Sequence, residues 1–284
     1  MTSPTVRIVN ASGCLDALTA PDVARAFDAF VTKTVTPEPR EGNPPPRIAE
    51  TDDGMLNSIG LQGPGIEGFL EHVLPQLELL GVPLWVSVGG FSADDYALMC
   101  AALDDQPSVA TIELNLSCPN VEEAPETAGQ IVVAGRAATS KPIYAKLSPA
   151  TWDIAESARA CVAAGADGLA LVNTIRGLAL DHATMRPKLA RGAGGYSGPA
   201  LRPIALACVY ACAQAVDVPI VGMGGVTTGR DAFELLAAGA SVVALGTVLF
   251  RDPGAPARVR AELEAEAGRY GIKTALDMHR AALS

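Results

Sequence analysis

The chain has 284 residues, of which 49% are hydrophobic and 5% aromatic. That apolar content excludes intrinsic disorder, and so few aromatics leave little for a base-stacking platform. With 21 Lys and Arg against 31 Asp and Glu, the net charge is −10, which argues against nucleic-acid or anionic-membrane binding without excluding one small basic pocket.

The N-terminus carries Thr2, Ser3, Thr5 and Arg7 and no apolar signal core. A first short apolar run covers 6–9. Thr19-Ala20-Pro21 then opens a helical stretch over 21–29, with Pro in the first turn. The second run, 30–33, leads into a long Pro-rich connection over 34–65 (Pro37, Pro39, Pro44, Pro45, Pro46). A helix is predicted over 66–80, ending at Gly81, then a strand over 84–88. Ser92 caps a helix over 93–103. A strand over 111–115, a helix over 126–139 and a strand over 143–147 follow. Thr151 is read as the cap of a helix over 152–164, which stops at Gly165. The next strand, 168–173, opens a second long connection over 174–199 that holds Gly192-Ala193-Gly194-Gly195. The chain ends with a helix over 201–216, a strand over 219–223, a helix over 230–238 stopped by Gly239, a strand over 242–246, and a helix over 256–270 stopped by Gly271.

The eight runs are apolar at nearly every residue, as strands buried on both faces of a parallel sheet are. Eight strand–helix units read as a (β/α)8 TIM barrel in one domain spanning 1–284, with long active-site loops at the C-terminal ends of the strands. A doubly wound open sheet is the rival. Its dinucleotide fingerprint is missing, because Thr227 stands where the third Gly of Gly222-Met223-Gly224-Gly225-Val226-Thr227 is needed.

Polar residues and glycines gather just after the strands, on the face where barrel chemistry sits. Gly224 and Gly225 after the seventh strand, and Gly246 and Thr247 after the eighth, offer backbone N–H groups beside helix N-termini, a setting that attracts phosphate. A tight turn alone would also use glycine. Lys33 and Lys146 each follow apolar strand residues, so both ammonium groups point into the mouth. A buried unpaired Lys is costly; each must face a phosphate, a carboxylate or an electron-rich ring, or serve as a Schiff-base lysine. Cys118 is held between Ser117 and Pro119 at a strand end. It reads either as a general base for a carbon acid or as a buried structural thiol. Asn57, Asn115, Asn120 and Asn173 supply uncharged donors and acceptors suited to a flat, amide-bearing ring. Cys208 and Cys212, four apart in an apolar helix, read as core. Three scattered His make a His-based metal site improbable, and no metal is expected. Six cysteines without a CxxC pair fit a reducing cytoplasm, and no apolar run reaches the ~20 residues of a membrane helix.

In order along the chain come "ASG" (11–13), "VTKTVTPEPREGNPPPRIAET" (31–51), "GMLNSIGLQGPG" (54–65), "IELNLSCPNV" (112–121), "KLSP" (146–149), "VNTIRG" (172–177), "GGYSGPALRP" (194–203), "GMGGV" (222–226) and "ALGT" (244–247). By these motifs the chain resembles the class 1 dihydroorotate dehydrogenase family, most like the NAD-linked (1B) catalytic subunits. The resemblance implies oxidation of dihydroorotate to orotate in pyrimidine biosynthesis, with FMN at the barrel mouth. FMN would be contacted by Ser12, Lys33, Thr34, Asn115, Lys146, Val172, Gly198, Gly224, Gly225, Gly246 and Thr247, with Ser87 counted among them. Substrate would be held by Lys33, Asn57, Ser58, Ile59, Gly60, Leu61, Asn115, Asn120, Asn173 and Thr174. Cys118 would take a proton from substrate C5 while C6 passes hydride to the flavin. It also implies a homodimer and a partner subunit carrying FAD and a 2Fe–2S cluster. Three positions depart from the family: Gly63 and Ser87 each replace a usual Asn, and Glu122-Glu123-Ala124-Pro125 is short and acidic. The alternatives are a flavin enzyme acting on another pyrimidine (dihydropyrimidine dehydrogenase-like), a Schiff-base aldolase-type barrel, or a binding barrel without catalysis.

Overall fold

Apolar residues in unbroken runs cannot leave either strand face in water, so the strands they form are enclosed by helices outside and by one another inside. A computed structural model, describing residues 6–116 and 125–284, shows this arrangement. The strands in chain order are β1 (Arg7–Asn10), β2 (Phe30–Val31), β3 (Ile48–Thr51), β4 (Gly54–Asn57), β5 (Leu84–Val88), β6 (Val109–Asn115), β7 (Ile143–Leu147), β8 (Gly168–Leu171), β9 (Ile175–Gly177), β10 (Gly194–Ser197), β11 (Ile220–Met223) and β12 (Val242–Leu245).

Eight of them form one parallel sheet in the order β1-β12-β11-β8-β7-β6-β5-β2. The last strand pairs with the first, which excludes the open doubly wound sheet. The ring closes between β1 and β2, where Val9 bridges Ala29. There the side chain of Asn10, fully buried, acts as an extra rung: Nδ2 donates to Val31 O at 2.7 Å and Oδ1 accepts from Val31 N at 2.8 Å. Side chains alternate across each strand. Ile112, Leu114, Ile143, Ala145 and Leu147 join the core between sheet and helices. Val9, Val31, Trp85, Ala170, Val221 and Ala244 form a second core inside the ring.

The helices follow the expected pattern with local differences. The first stops at Arg25 rather than residue 29, because Asp28 N pairs with Ile8 O and its carboxylate accepts from Ile8 N. Ala20, not Thr19, stands at its N-cap and makes no side-chain cap. The stretch predicted over 66–80 is broken into Gly65–Gly68, a wider turn at Phe69–Val73, and Leu74–Glu78; Pro75 has no N–H to continue the regular ladder. Ser92 caps as expected, in a reciprocal pair with Asp95. Thr151 does not cap: Asp153 accepts from the amides of Ala155 and Glu156 and starts the helix at Ile154.

The two long connections are not irregular. They supply β3, β4, β10 and β9, a four-stranded antiparallel sheet in that order beside the C-terminal ends of the barrel strands. Among the described residues no helix is long and apolar enough to cross a membrane.

Candidate active site

A cavity of about 660 Å³ lies between the barrel mouth and the small sheet. Strand ends supply Ser12, Lys33, Thr34, Asn115, Lys146, Val172, Asn173, Thr174, Gly224, Gly225, Gly246 and Thr247 to its wall. The small sheet and its loops supply Asn57, Ser58, Ile59, Gly60, Leu61 and Gly198. Residues expected to meet one ligand from sequence positions far apart therefore share one cleft. Cys118 and Asn120 lie outside the described residues.

Ser87 is placed differently. It is fully buried behind Thr34 and does not line the cleft; its Oγ lies 3.1 Å from Thr34 Oγ1. It backs a chain of polar side chains that runs along the cleft wall. Asn115 Nδ2 donates to Thr34 Oγ1 at 3.1 Å, Asn173 Nδ2 donates to Asn115 Oδ1 at 3.0 Å, and Thr174 N donates to Asn173 Oδ1 at 2.8 Å. Tyr96 OH donates to the carbonyl of Asn115 at 2.7 Å. Each amide is thereby fixed in orientation before any ligand arrives, and such preorganisation favours a planar ring with matching donors and acceptors.

The two lysines differ. Lys33 is open to solvent through the cleft. The cleft walls partly desolvate it, and with the guanidinium of Arg47 they push its ammonium below the usual lysine range. Lys146 is buried at 5% exposure, and its Nζ lies 3.5 Å from Glu113 Oε1. Burial raises the thiol of Cys14 on the same cleft wall, while Lys146 pulls it the other way.

The glycine loops form an anion cradle. Among the described residues, no protein acceptor takes the amides of Gly224, Gly225, Gly246 or Thr247. A Cβ at Gly225, whose φ is +75°, would sit 2.8 Å from Gly198 O and Arg202 N, so the loop admits only glycine. The helix that follows β11 has its own first amides occupied. In helix Gly229–Ala238, Asp231 accepts from the amides of Thr227 and Thr228, and Glu262 accepts from that of Gly229. The donors open to an anion there are in the loop, not the helix.

A family model described as "Dihydroorotate dehydrogenase" matches residues 5–266. The chain belongs to the dihydroorotate dehydrogenase family. It is 42% identical over 285 residues to the "Dihydroorotate dehydrogenase B (NAD(+)), catalytic subunit" of Listeria monocytogenes serovar 1/2a, covering 96% of this chain and 93% of that one. To the protein of the same name from Geobacter sulfurreducens it is 45% identical over 260 residues, covering 89% and 85%. The crystal structure of DHODH from Eimeria tenella in complex with ferulenol superposes with a TM-score of 0.82 at 24% identity, over 97% of this chain and 85% of that one; this likeness bears on the fold.

Among the cleft residues not singled out from the sequence as site residues are Cys14 and Arg176. Cys14 gives no signal beyond its place after β1. Arg176 on β9 reaches the wall because the connection folds as a sheet. Beneath the cleft, Glu113 left a trace: it is a lone carboxylate in an otherwise apolar strand run.

Proposed function

We propose that the whole chain, 1–284, is an FMN-binding barrel that oxidises (S)-dihydroorotate to orotate in pyrimidine (UMP) biosynthesis. Electrons pass to NAD through a second subunit carrying FAD and a 2Fe–2S cluster. The observation that carries this reading is the convergence of Lys33, Asn57, Asn115 and Asn173 on the cleft that Lys146 and the open glycine-loop amides also enter, in a chain of this family.

The donor set fits FMN. The amides of Gly224, Gly225, Gly246 and Thr247 suit its phosphate, and Lys146 suits a ring edge that gains negative charge. Ser12 and Thr34 supply neutral donors beside them. When bound, FMN supplies the acceptor for the hydride that leaves C6 of the substrate. The chain's own residues do the remainder. Lys33 meets the substrate carboxylate by charge. Asn57, Asn115, Asn173 and Thr174 fix the ring plane. Cys118 takes the C5 proton as general base, so the two hydrogens lost by the substrate leave as one proton and one hydride. A homodimer and a cytoplasmic location belong to the same reading. The family resemblance supports the first, and the buried free thiols of Cys100, Cys161, Cys208 and Cys212 suit the second.

The purified protein should be yellow and release FMN, not FAD, on denaturation. With dihydroorotate it should reduce NAD only after the FAD and 2Fe–2S partner is added. A colourless protein that FMN cannot reconstitute would contradict the reading and favour the aldolase or binding alternatives.

A further inference from the structure

The barrel interior holds a charge that the reading so far leaves unused. Glu113 faces inward from β6, since its neighbours Ile112 and Leu114 pack into the outer core. It is 2% exposed. Among the described residues its polar partner is Lys146, at 3.5 Å. The register pairs Asn115 with Lys146 and Glu113 with Tyr144, so the carboxylate sits one layer deeper in the ring than the ammonium. Burying a lone carboxylate is strongly unfavourable, and so is burying a lone ammonium; each answers the other. The other titratable groups around Lys146 are the Cys14 thiol, from the turn after β1, and Tyr144 on the same strand. Burial keeps both above their usual ranges, so neither supplies a negative charge. Lys33 shares the cleft wall from the end of β2, and β8 carries no titratable side chain.

We propose that Glu113 is a positioning residue for Lys146, holding its ammonium charged and fixed against the flavin face of the cleft. This rests on the flavin reading of the cleft. Without the carboxylate, a buried ammonium gives up its proton at lower pH and is free to turn away.

The test is FMN affinity of the apoprotein, read by quenching of FMN fluorescence at pH 7 and pH 9, for wild type, Glu113→Gln, Glu113→Asp, Lys146→Ala and the Glu113→Gln/Lys146→Ala double variant. Ratios to wild type cancel the ionisation of FMN itself. Glu113→Gln is expected to lose measurably more affinity than wild type over this interval, because an unpartnered buried ammonium is the more easily neutralised. Glu113→Asp should recover part of it. Lys146→Ala should bind weakly at both pH values, and adding Glu113→Gln to it should change little. A folded Glu113→Gln protein that tracks wild type, beside a weakened Lys146→Ala, overturns the positioning role alone. Lys146→Ala binding FMN as wild type does would overturn the flavin reading of Lys146, and the proposal with it. If Glu113→Gln does not fold, Glu113→Asp carries the test: a pH dependence steeper than that of wild type supports the role, and a weakening that is the same at pH 7 and pH 9 overturns it.

Discussion

Asn115 donates to Thr34 Oγ1 at 3.1 Å and thereby ties the end of β6 to the turn after β2, across the intervening β5, whose Ser87 holds the same oxygen from behind at 3.1 Å. Three strands not all adjacent in the sheet are locked by one hydroxyl. Thr34→Val keeps the shape and removes the hydroxyl, leaving the Asn115 amide and the Ser87 hydroxyl short of a partner at about 1–3 kcal/mol. Orotate affinity, followed through the flavin spectrum, should fall by roughly tenfold for a loss near 1.4 kcal/mol, with a lower melting temperature. Ser87→Ala should show a smaller loss in the same direction. Unchanged affinity in both variants would mean the chain of side chains does not orient Asn115.

The role given to Cys118 is tested by Cys118→Ala. It should retain FMN but reduce it with dihydroorotate slower by roughly 10²–10⁴-fold, the range typical of a lost general base. Stopped-flow measurement of flavin bleaching gives the rate directly. Near-normal reduction would remove the thiol from the mechanism.

Lys33 carries a pH prediction. Cleft desolvation first, and Arg47 second, lower its ammonium from the ordinary value of 10.5. Protonated Lys33 attracts the orotate carboxylate; the neutral amine does not. Affinity for orotate should therefore be strong at low pH and fall as pH rises, beginning below 10.5. Arg47→Gln should move that fall to higher pH, and Lys33→Met should flatten it. A titration that is the same in all three proteins would dissociate Lys33 from the carboxylate.

Most of the barrel was legible in the sequence because doubly buried strands leave unbroken apolar runs, and all eight runs became strands of one ring. The small sheet was not read, although the two-residue Asp52-Asp53 turn between β3 and β4 is a hairpin signal. Its strands are only partly buried, so their composition resembles a loop, and β9 and β10 pair with each other and with β4 across long separations that no local pattern records. That residues at the strand ends line one cleft was legible from their position. The place of Ser87 was not, because whether a strand-end hydroxyl meets ligand or a neighbouring side chain depends on the depth of the next strand. Asp153 outcompeted Thr151 as a cap because its carboxylate reaches two helix amides at once.

Ring closure gives a stability prediction. Asn10→Ala leaves both Val31 backbone groups unpaired in the interior, at about 1–3 kcal/mol for each. Thermal unfolding should shift down by several degrees, and Asn10→Asp should be no milder, since it buries a carboxylate that faces the Val31 carbonyl with no donor to offer it. An unshifted transition would show that the seam between β1 and β2 does not depend on this side chain.

Anaerobic titration of the FMN-loaded protein with dihydroorotate, with flavin absorbance and orotate followed together, tests the dehydrogenase assignment most directly. Bleaching that reaches completion as one orotate forms per flavin is expected. A flavin spectrum left unchanged by excess dihydroorotate would contradict it.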